Sequence, residues 1–160
     1  MDKKVINIIK EQMPNMTEKE RLAFFLAFGA HTSTDQRDQA GLEYIGHPLT
    51  VYSHCDTEDE RIVALLHDVL EDTKITAKDL ALLFPSHIVE AVQLLSHPKT
   101  NYNRDEYLAK IKANPLAKKV KIEDFKANID PSRIQSLVDW HKNEVETKYK
   151  PNLNYLLDDN

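Results

Sequence analysis

A short segment of the chain concentrates one imidazole and three carboxylates. In RIVALLHDVLEDT, residues 61–73, an apolar run is followed by His67, Asp68, Glu71 and Asp72. On a helix, residues three and four apart are neighbours, so Asp68 would share one surface with Glu71 and Asp72. Such a group can hold a divalent cation and can move protons. A solvated helix face is the alternative, and the spacing alone leaves both interpretations open.

The same side of this predicted helix carries apolar residues one turn earlier. Val63 and Ala64 lie four residues before His67 and Asp68, so they occupy the same side of the helix. This side is therefore predicted to become buried toward its N-terminal end. Carboxylates in a partly buried patch repel one another and resist loss of solvent unless positive charge lies among them. A metal ion would supply that charge.

The elements that position these residues are predicted to be helices. The chain has three glycines and no alternating β-branched run, and a Thr or Asn repeatedly precedes an acid by three residues, as at a helix N-terminus. The tail from residue 150 is left open between packing and fraying. The pattern predicts an all-α, single-domain helical bundle over residues 1–160. The predicted helices cover 17–32, 57–72, 76–84, 103–113, Pro48 to Cys55, Ser86 to Ser96, Pro115 to Asp130 and Ser132 to Lys148.

Composition narrows the classes of partner. The 160 residues are 41% apolar and 29% charged, as expected for one domain with a core. The net charge of −5 argues against nucleic acid or an anionic membrane as the main partner. No apolar run approaches the roughly 20 residues of a membrane span, and the start of the chain does not resemble a signal peptide. We therefore expect a cytoplasmic protein. Cys55 is the single cysteine, so the chain has no internal disulfide.

Three segments together resemble a known enzyme family. HD within LLHDVLEDT is preceded by YIGHP about twenty residues upstream and followed by VKIEDFKANID about fifty downstream. This order resembles the HD-domain metal-dependent phosphohydrolases, in particular the hydrolase domain of the RelA/SpoT family and its small stand-alone relatives. Those enzymes remove pyrophosphate from the 3′ position of guanosine tetra- and pentaphosphate, (p)ppGpp. The resemblance covers residues from about 27 to 133, leaving a C-terminal helix and tail at 132–160, and implies an HD-type helical bundle.

The resemblance implies a metal site and a pair of catalytic acids. Two imidazoles and two carboxylates would balance one dication, with Mn²⁺ favoured and Fe²⁺ or Zn²⁺ as alternatives. Glu71 and Asp72 match the acids that orient or deprotonate a water and assist the leaving oxygen. The implied metal ligands are His47, His67, Asp68 and Asp124.

The implied substrate contacts are less complete. Where the family loop carries a basic pair, this chain has Asp38 and Gln39, and an acid there would repel a phosphate. Arg37, one position earlier, is the base that could take over that role. The residues expected to bind substrate are Asn128, Arg37, Lys121, Arg133 and Tyr44.

Three hypotheses for function follow. The first is a (p)ppGpp 3′-pyrophosphohydrolase. The second is a metal-dependent phosphohydrolase of the same type that acts on another nucleotide or small phosphorylated metabolite. The third is a catalytically degenerate module that binds a nucleotide without cleaving it. The expected partner is a small-molecule nucleotide, and a homodimer is left open because Trp140 is interpreted as core or as a contact to a second copy. For His31, packing near the site is left open. The other histidines, interpreted as surface or helix-end residues, are His54, His87, His97 and His141.

Overall fold

Side-chain caps start the helices where the sequence predicts. In this computed structural model, the side chains of Thr17, Thr57 and Thr76 each accept a hydrogen bond from the backbone N–H three residues later. The carboxylate of the acid at that position accepts a hydrogen bond from the backbone N–H of the threonine. Asn103 caps its helix through the backbone N–H groups of Asp105 and Glu106. The four predicted starts are confirmed. The structure describes residues 3–34, 36–37, 43–97, 102–130 and 139–158.

The described residues form helices and connecting turns, without a strand, which confirms the all-α fold class. An isolated β-bridge joins Arg37 and Glu43. None of the described helices is long and apolar enough to cross a membrane. The helices are α1 (Lys3–Gln12, followed by a 3₁₀ turn at Met13–Asn15), α2 (Glu18–Ser33), α3 (Gly46–Ser53), α4 (Glu58–Leu66), α5 (Val69–Asp72), α6 (Ala77–Ala81), α7 (Ser86–Leu95), α8 (Arg104–Ala113), α9 (Pro115–Ile129), α10 (Asp139–Glu144), a π-helical turn (Val145–Tyr149) and α11 (Lys150–Leu157).

Helix α4 lies at the centre of the core. It packs against α2, α3, α7 and α9, so a polar face on its second half would be buried and not exposed to solvent. The residues from Ile62 to Leu66 are all buried, and His67 directly after them is also buried. The predicted burial of Val63 and Ala64 is therefore confirmed.

The prediction of one continuous helix over 57–72 is wrong. Helix α4 ends at Leu66, a turn covers His67 and Asp68, and α5 begins at Val69. The Nδ1 atom of His67 lies 2.7 Å from the carbonyl oxygen of Ala64. In a continuous helix that carbonyl would accept from the backbone N–H of Asp68. The imidazole thus takes the place of a helical hydrogen bond and separates α4 from α5.

Both ends of the chain contain more helix than predicted. Helix α1 was not predicted. Helix α3 begins at Gly46, two residues before the predicted start at Pro48, so His47 lies inside this helix. The described part of the last helix runs from α10 through the π-helical turn into α11, beyond the predicted end at Lys148. Leu153 and Leu156 are buried, so the tail packs. The predicted start near Ser132 lies outside the described residues, as does the side chain of Trp140.

Candidate metal centre and active site

Three of the four predicted metal ligands lie together in the core. His47 comes from α3, His67 from the turn after α4 and Asp124 from α9, three elements that pack on one another. One ligand atom of each lies within 4.8 Å of the other two. Oδ1 of Asp124 is 3.0 Å from Nε2 of His47 and 3.8 Å from Nε2 of His67. All three residues are buried, so three segments distant in sequence converge on one small volume.

Asp68, the fourth predicted ligand, contacts this group through His67. Its Oδ2 atom is 2.8 Å from Nε2 of His67, but it does not belong to the set whose atoms are all within 4.8 Å of one another. The hydroxyl of Tyr44 donates a hydrogen bond to the same Oδ2 atom. Tyr44, predicted to bind substrate, therefore also orients a predicted ligand.

The Nε2 atom of His67 indicates whether a cation fits between these residues. Nδ1 of His67 donates to the carbonyl of Ala64, because a carbonyl oxygen can only accept. The lone pair of the neutral ring is then on Nε2, which is buried and has no hydrogen-bond partner among the described residues. While the ring is neutral, the short distance from Nε2 to Asp68 brings an acceptor to an acceptor, so positive charge is needed between these two atoms, either a second ring proton or a cation. A divalent cation between imidazole nitrogens and carboxylate oxygens satisfies both, so the donor set fits one.

The pKa shifts show that this volume favours positive charge. Burial acts to lower the pKa of His67, but the carboxylates of Asp68 and Asp124 outweigh it and raise the pKa to about 9. Burial acts to raise the pKa of Asp124, but Lys121 and the two histidines hold it well below its usual range. The pKa of Asp68 is likewise lowered, since His67 outweighs burial. Both aspartates therefore stay ionised inside the protein.

Two residues predicted to bind substrate, Lys121 and Asn128, contact Asp124. Nζ of Lys121 lies 2.9 Å from Oδ2 of Asp124 and 5.0 Å from the centre of the Phe125 ring. Burial lowers the pKa of Lys121, but Asp124 raises it well above its usual range. Nδ2 of Asn128 donates to the backbone carbonyl and to Oδ1 of Asp124. Lys121 and Asn128 also line the cavity beside the cluster.

The two predicted catalytic acids face that cavity, which has a volume of about 290 Å³. Oε2 of Glu71 accepts a hydrogen bond from the backbone N–H of His97 at 3.3 Å. Oδ2 of Asp72 accepts from Nε2 of Gln36 at 2.8 Å. Each acid of the short helix α5 is thus held by a residue from another part of the chain.

The cavity wall contains further residues, some of which the sequence did not indicate. Arg37 and Tyr44, which were predicted to bind substrate, line it, whereas Arg133, Asp38 and Gln39 lie outside the described residues. The ring of His97 stacks on that of Tyr102, with the two ring centres 4.1 Å apart. His97 follows the end of α7, as predicted, but nothing in the sequence indicated that it lines the cavity. The wall residues not predicted are His97, Tyr102, Tyr107, Phe125, Lys148, Tyr149 and Asn152.

A periodic signal could have revealed the C-terminal part of this wall. Tyr149, Leu153 and Leu156 are spaced four and then three residues apart, as on one helix face, and all three are buried. That face packs inward and brings Lys148 and Asn152 to the cavity. The apolar spacing therefore predicts a packed helix in the segment that had been left open.

The described residues combine an all-helical fold with a buried group of two histidines and one aspartate, the arrangement that the resemblance to HD-type domains implies. Comparison with solved structures agrees: the chain matches, with a TM-score of 0.62 and 19% identity, a metazoan ortholog of SpoT described as hydrolysing ppGpp. The match covers 89% of this chain and 95% of that one. No protein-family model matches the chain.

Sequence comparison adds relatives with known names. The chain is 28% identical over 135 residues to guanosine-3′,5′-bis(diphosphate) 3′-pyrophosphohydrolase MESH1 of Mus musculus, covering 77% of this chain and 75% of that protein. It is 28% identical over 137 residues to MESH1 of Danio rerio, covering 72% and 76%. It is 33% identical over 94 residues to the bifunctional (p)ppGpp synthase/hydrolase SpoT of Escherichia coli, covering 56% of this chain and 13% of SpoT. The protein is thus a relative of the HD-type (p)ppGpp hydrolases.

Proposed function

We propose that this protein is a divalent-metal-dependent hydrolase that removes pyrophosphate from the 3′ position of (p)ppGpp. The observation that carries the proposal is the cluster of His47, His67 and Asp124, two members of which, His47 and Asp124, line the same cavity as Glu71 and Asp72. The names of the MESH1 relatives, which are 3′-pyrophosphohydrolases, support the choice of substrate.

In this proposal the cation is held by two imidazoles and two carboxylates. The unsatisfied Nε2 atom of His67 supports this assignment, and the proposed metal is Mn²⁺, with Fe²⁺ or Zn²⁺ as alternatives. When bound, a divalent cation supplies Lewis-acid polarisation of an oxygen and makes water more acidic. The proposed ligands are His47, His67, Asp68 and Asp124.

Glu71 and Asp72 are the proposed acid/base pair. They take a proton from the attacking water and return a proton to the departing 3′ oxygen. The water oxygen bonds to phosphorus while the bond from phosphorus to the 3′ oxygen breaks, so the products are GDP or GTP and pyrophosphate. The hydrogen bonds from His97 and Gln36 hold the two carboxylates for this task, and such proton transfer contributes roughly 10²–10⁴-fold to a rate.

Basic side chains in the cavity wall are the proposed contacts to the substrate phosphates. Arg37 lines the wall beside Tyr44, and Lys148 lines it from the π-helical turn. Lys121 and Asn128 act mainly through Asp124, and Arg133 stays a prediction. A single domain and a cytoplasmic location belong to the same proposal, with a small nucleotide rather than nucleic acid or membrane as partner. A homodimer stays a prediction.

The test is turnover of a phosphoester panel that includes ppGpp, with Mn²⁺, together with Mn²⁺ binding by calorimetry. We expect Asp68→Ala to lose both metal and activity, and Glu71→Gln to keep metal but lose at least about 100-fold in rate. Glu11→Gln, on the exposed side of α1, is the matched control and should behave as wild type.

The outcomes separate the three hypotheses. Equal turnover by wild type, Asp68→Ala and Glu71→Gln would contradict an enzymatic site here. Turnover of another phosphoester but not ppGpp would favour the second hypothesis. Tight binding of ppGpp by the wild type without any turnover would favour a binding module.

A further inference from the structure

The side chain of Gln36 connects His31 to Asp72. Its Nε2 atom lies 2.8 Å from Oδ2 of Asp72, on α5. Its Oε1 atom lies 2.7 Å from Nδ1 of His31, in the last turn of α2. Three residues from three separate parts of the site therefore form one chain of hydrogen bonds.

The chemistry of the three groups fixes the direction of both hydrogen bonds. A carboxylate can only accept, so the amide must turn its NH₂ group toward Asp72. The amide oxygen then faces His31, and Nδ1 of His31 must carry a hydrogen to donate. The opposite orientation of Gln36 would bring two oxygen acceptors together at Asp72. His31 is therefore required as the Nδ1–H form.

The surroundings of His31 favour this role. Its side chain is buried, and its Nε2 atom has no hydrogen-bond partner in the part of the chain that the structure describes. Burial lowers the pKa of His31, although the hydrogen bond to Gln36 and the nearby acids act to raise it. Its ring also packs 4.6 Å from the ring of Tyr44. The imidazole is thus a buried donor held between Gln36 and Tyr44 and not an exposed side chain.

The backbone of Gln36 is held on both sides. Its N–H donates to the carbonyl of His31 at 3.3 Å, and its carbonyl accepts from the N–H of Tyr44 at 3.3 Å. Gln36 is therefore attached to the end of α2 and to the segment that contains Tyr44. A side chain that starts from such an anchored backbone can hold a catalytic group within the narrow geometry that catalysis needs.

We propose that Gln36 is a positioning residue for Asp72, with His31 fixing the orientation of the Gln36 amide. The inference rests on the proposed function, because Asp72 is one of the two proposed catalytic acids. Gln36 does not line the cavity that holds the cluster, although its neighbour Arg37 does. It acts on the reaction through Asp72 and leaves the substrate contacts and metal ligands in place.

The kinetic test compares two substitutions of the same residue. Gln36→Ala removes the donor, and Gln36→Glu keeps the shape of the side chain but replaces the donor by an acceptor. One hydrogen bond to a charged group is worth about one factor of ten. We expect Gln36→Ala to lower kcat about tenfold and Gln36→Glu to lower it at least as much. KM for ppGpp and Mn²⁺ affinity should stay within about twofold of wild type.

A matched control separates this effect from general damage. Gln93→Ala removes an exposed glutamine from α7 and should leave kcat unchanged. If Gln36→Ala and Gln36→Glu both keep the wild-type kcat while Asp72→Asn loses activity, the inference is overturned and the proposed function stands.

A second readout does not depend on activity. The ring ¹⁵N shifts of His31, recorded with diamagnetic Zn²⁺ in place of Mn²⁺, should show the Nδ1–H form in the wild type. In Gln36→Ala that nitrogen loses its acceptor, so the Nε2–H form should gain population. An Nε2–H form in the wild type would overturn the hydrogen-bond chain. Absence of any phosphoester turnover by the wild type would overturn the proposed function, and the ¹⁵N shifts would still decide the chain.

Discussion

The side-chain amide of Asn128 donates to two atoms of Asp124, the backbone carbonyl at 3.0 Å and Oδ1 at 2.8 Å. The same Oδ1 atom faces Nε2 of His47. The two residues lie one turn apart on α9, so the helix itself sets their separation. Asn128 therefore determines which way the carboxylate of a proposed metal ligand points.

We expect Asn128→Ala to weaken Mn²⁺ binding. Loss of an outer partner of a metal ligand typically lowers metal affinity about 10–100-fold, and here Asp124 would lose the donor to Oδ1. Calorimetric titration with Mn²⁺ measures the change. Asn154→Ala, at an exposed position of α11, is the control, and equal Kd values for the two variants would contradict this role of Asn128.

Lys121 should matter for stability before it matters for substrate. Its side chain is 13% exposed and its Nζ is 2.9 Å from Oδ2 of Asp124, so Lys121→Met leaves a buried carboxylate without its cation. Removing one partner of a buried pair costs about 3–5 kcal/mol. Urea unfolding should show a loss of that order, and added Mn²⁺ should restore part of it because the ion compensates the same charge.

An ion pair with an exposed lysine on the same helix provides the comparison. Lys126 lies 3.1 Å from Oε1 of Glu123, with its side chain 51% exposed. Lys126 keeps its charge in solvent, and Lys119 remains 3.3 Å from the same oxygen of Glu123, so Lys126→Met should change the free energy of unfolding much less. Similar losses for Lys121→Met and Lys126→Met would show that the first pair is not buried in solution.

Local signals explain what the sequence could predict. The caps at Thr17 and Thr57 depend on residues three positions apart, and the four implied ligands come from three recognisable segments. The break after Leu66 could not be predicted, because it depends on the ring of His67 reaching a backbone carbonyl. The contacts of Gln36 and His97 are also set by tertiary packing and not by spacing.

The helical continuation beyond Lys148 could not be predicted for a different reason. Pro151 lacks an N–H, and a proline inside a regular helix disrupts the turn before it. In the structure the π-helical turn at Val145–Tyr149 precedes it, and Pro151 lies in the first turn of α11. An altered helical turn at this point lets the chain stay helical through the proline. The same turn carries Lys148 to the cavity.

Lys148→Ala should therefore raise KM for ppGpp. A lysine in the cavity wall is suited to a phosphate group, and loss of one charged contact corresponds to about a tenfold change. Mn²⁺ affinity should not change, because Lys148 is not among the proposed ligands. Steady-state kinetics at low and moderate salt would measure the effect, which should shrink as salt screens the charge.

The control for Lys148 is two residues away. Lys150 is exposed, pairs with Glu146 and does not line the cavity. Lys150→Ala should leave KM within about twofold of wild type. If both substitutions raise KM equally, the effect comes from overall charge and not from a contact in the cavity.

The thiol of Cys55 should be inert in the folded protein. Cys55 is buried, its Sγ lies 3.4 Å from the carbonyl oxygen of Val51, and burial raises its pKa to about 12. The thiolate is the reactive form, so at pH 8 Ellman's reagent should modify the native protein at least about 100-fold more slowly than the urea-unfolded chain, whose thiol has a pKa of about 8.5.

The raised pKa of Cys55 also affects stability. Above about pH 8.5 the unfolded state loses the thiol proton and the folded state keeps it, so the free energy of unfolding should fall as pH rises toward 12. Cys55→Ser removes this thiol contribution and should show a smaller fall over the same range. Native and unfolded protein reacting at similar rates would contradict burial of the thiol between α3 and α4.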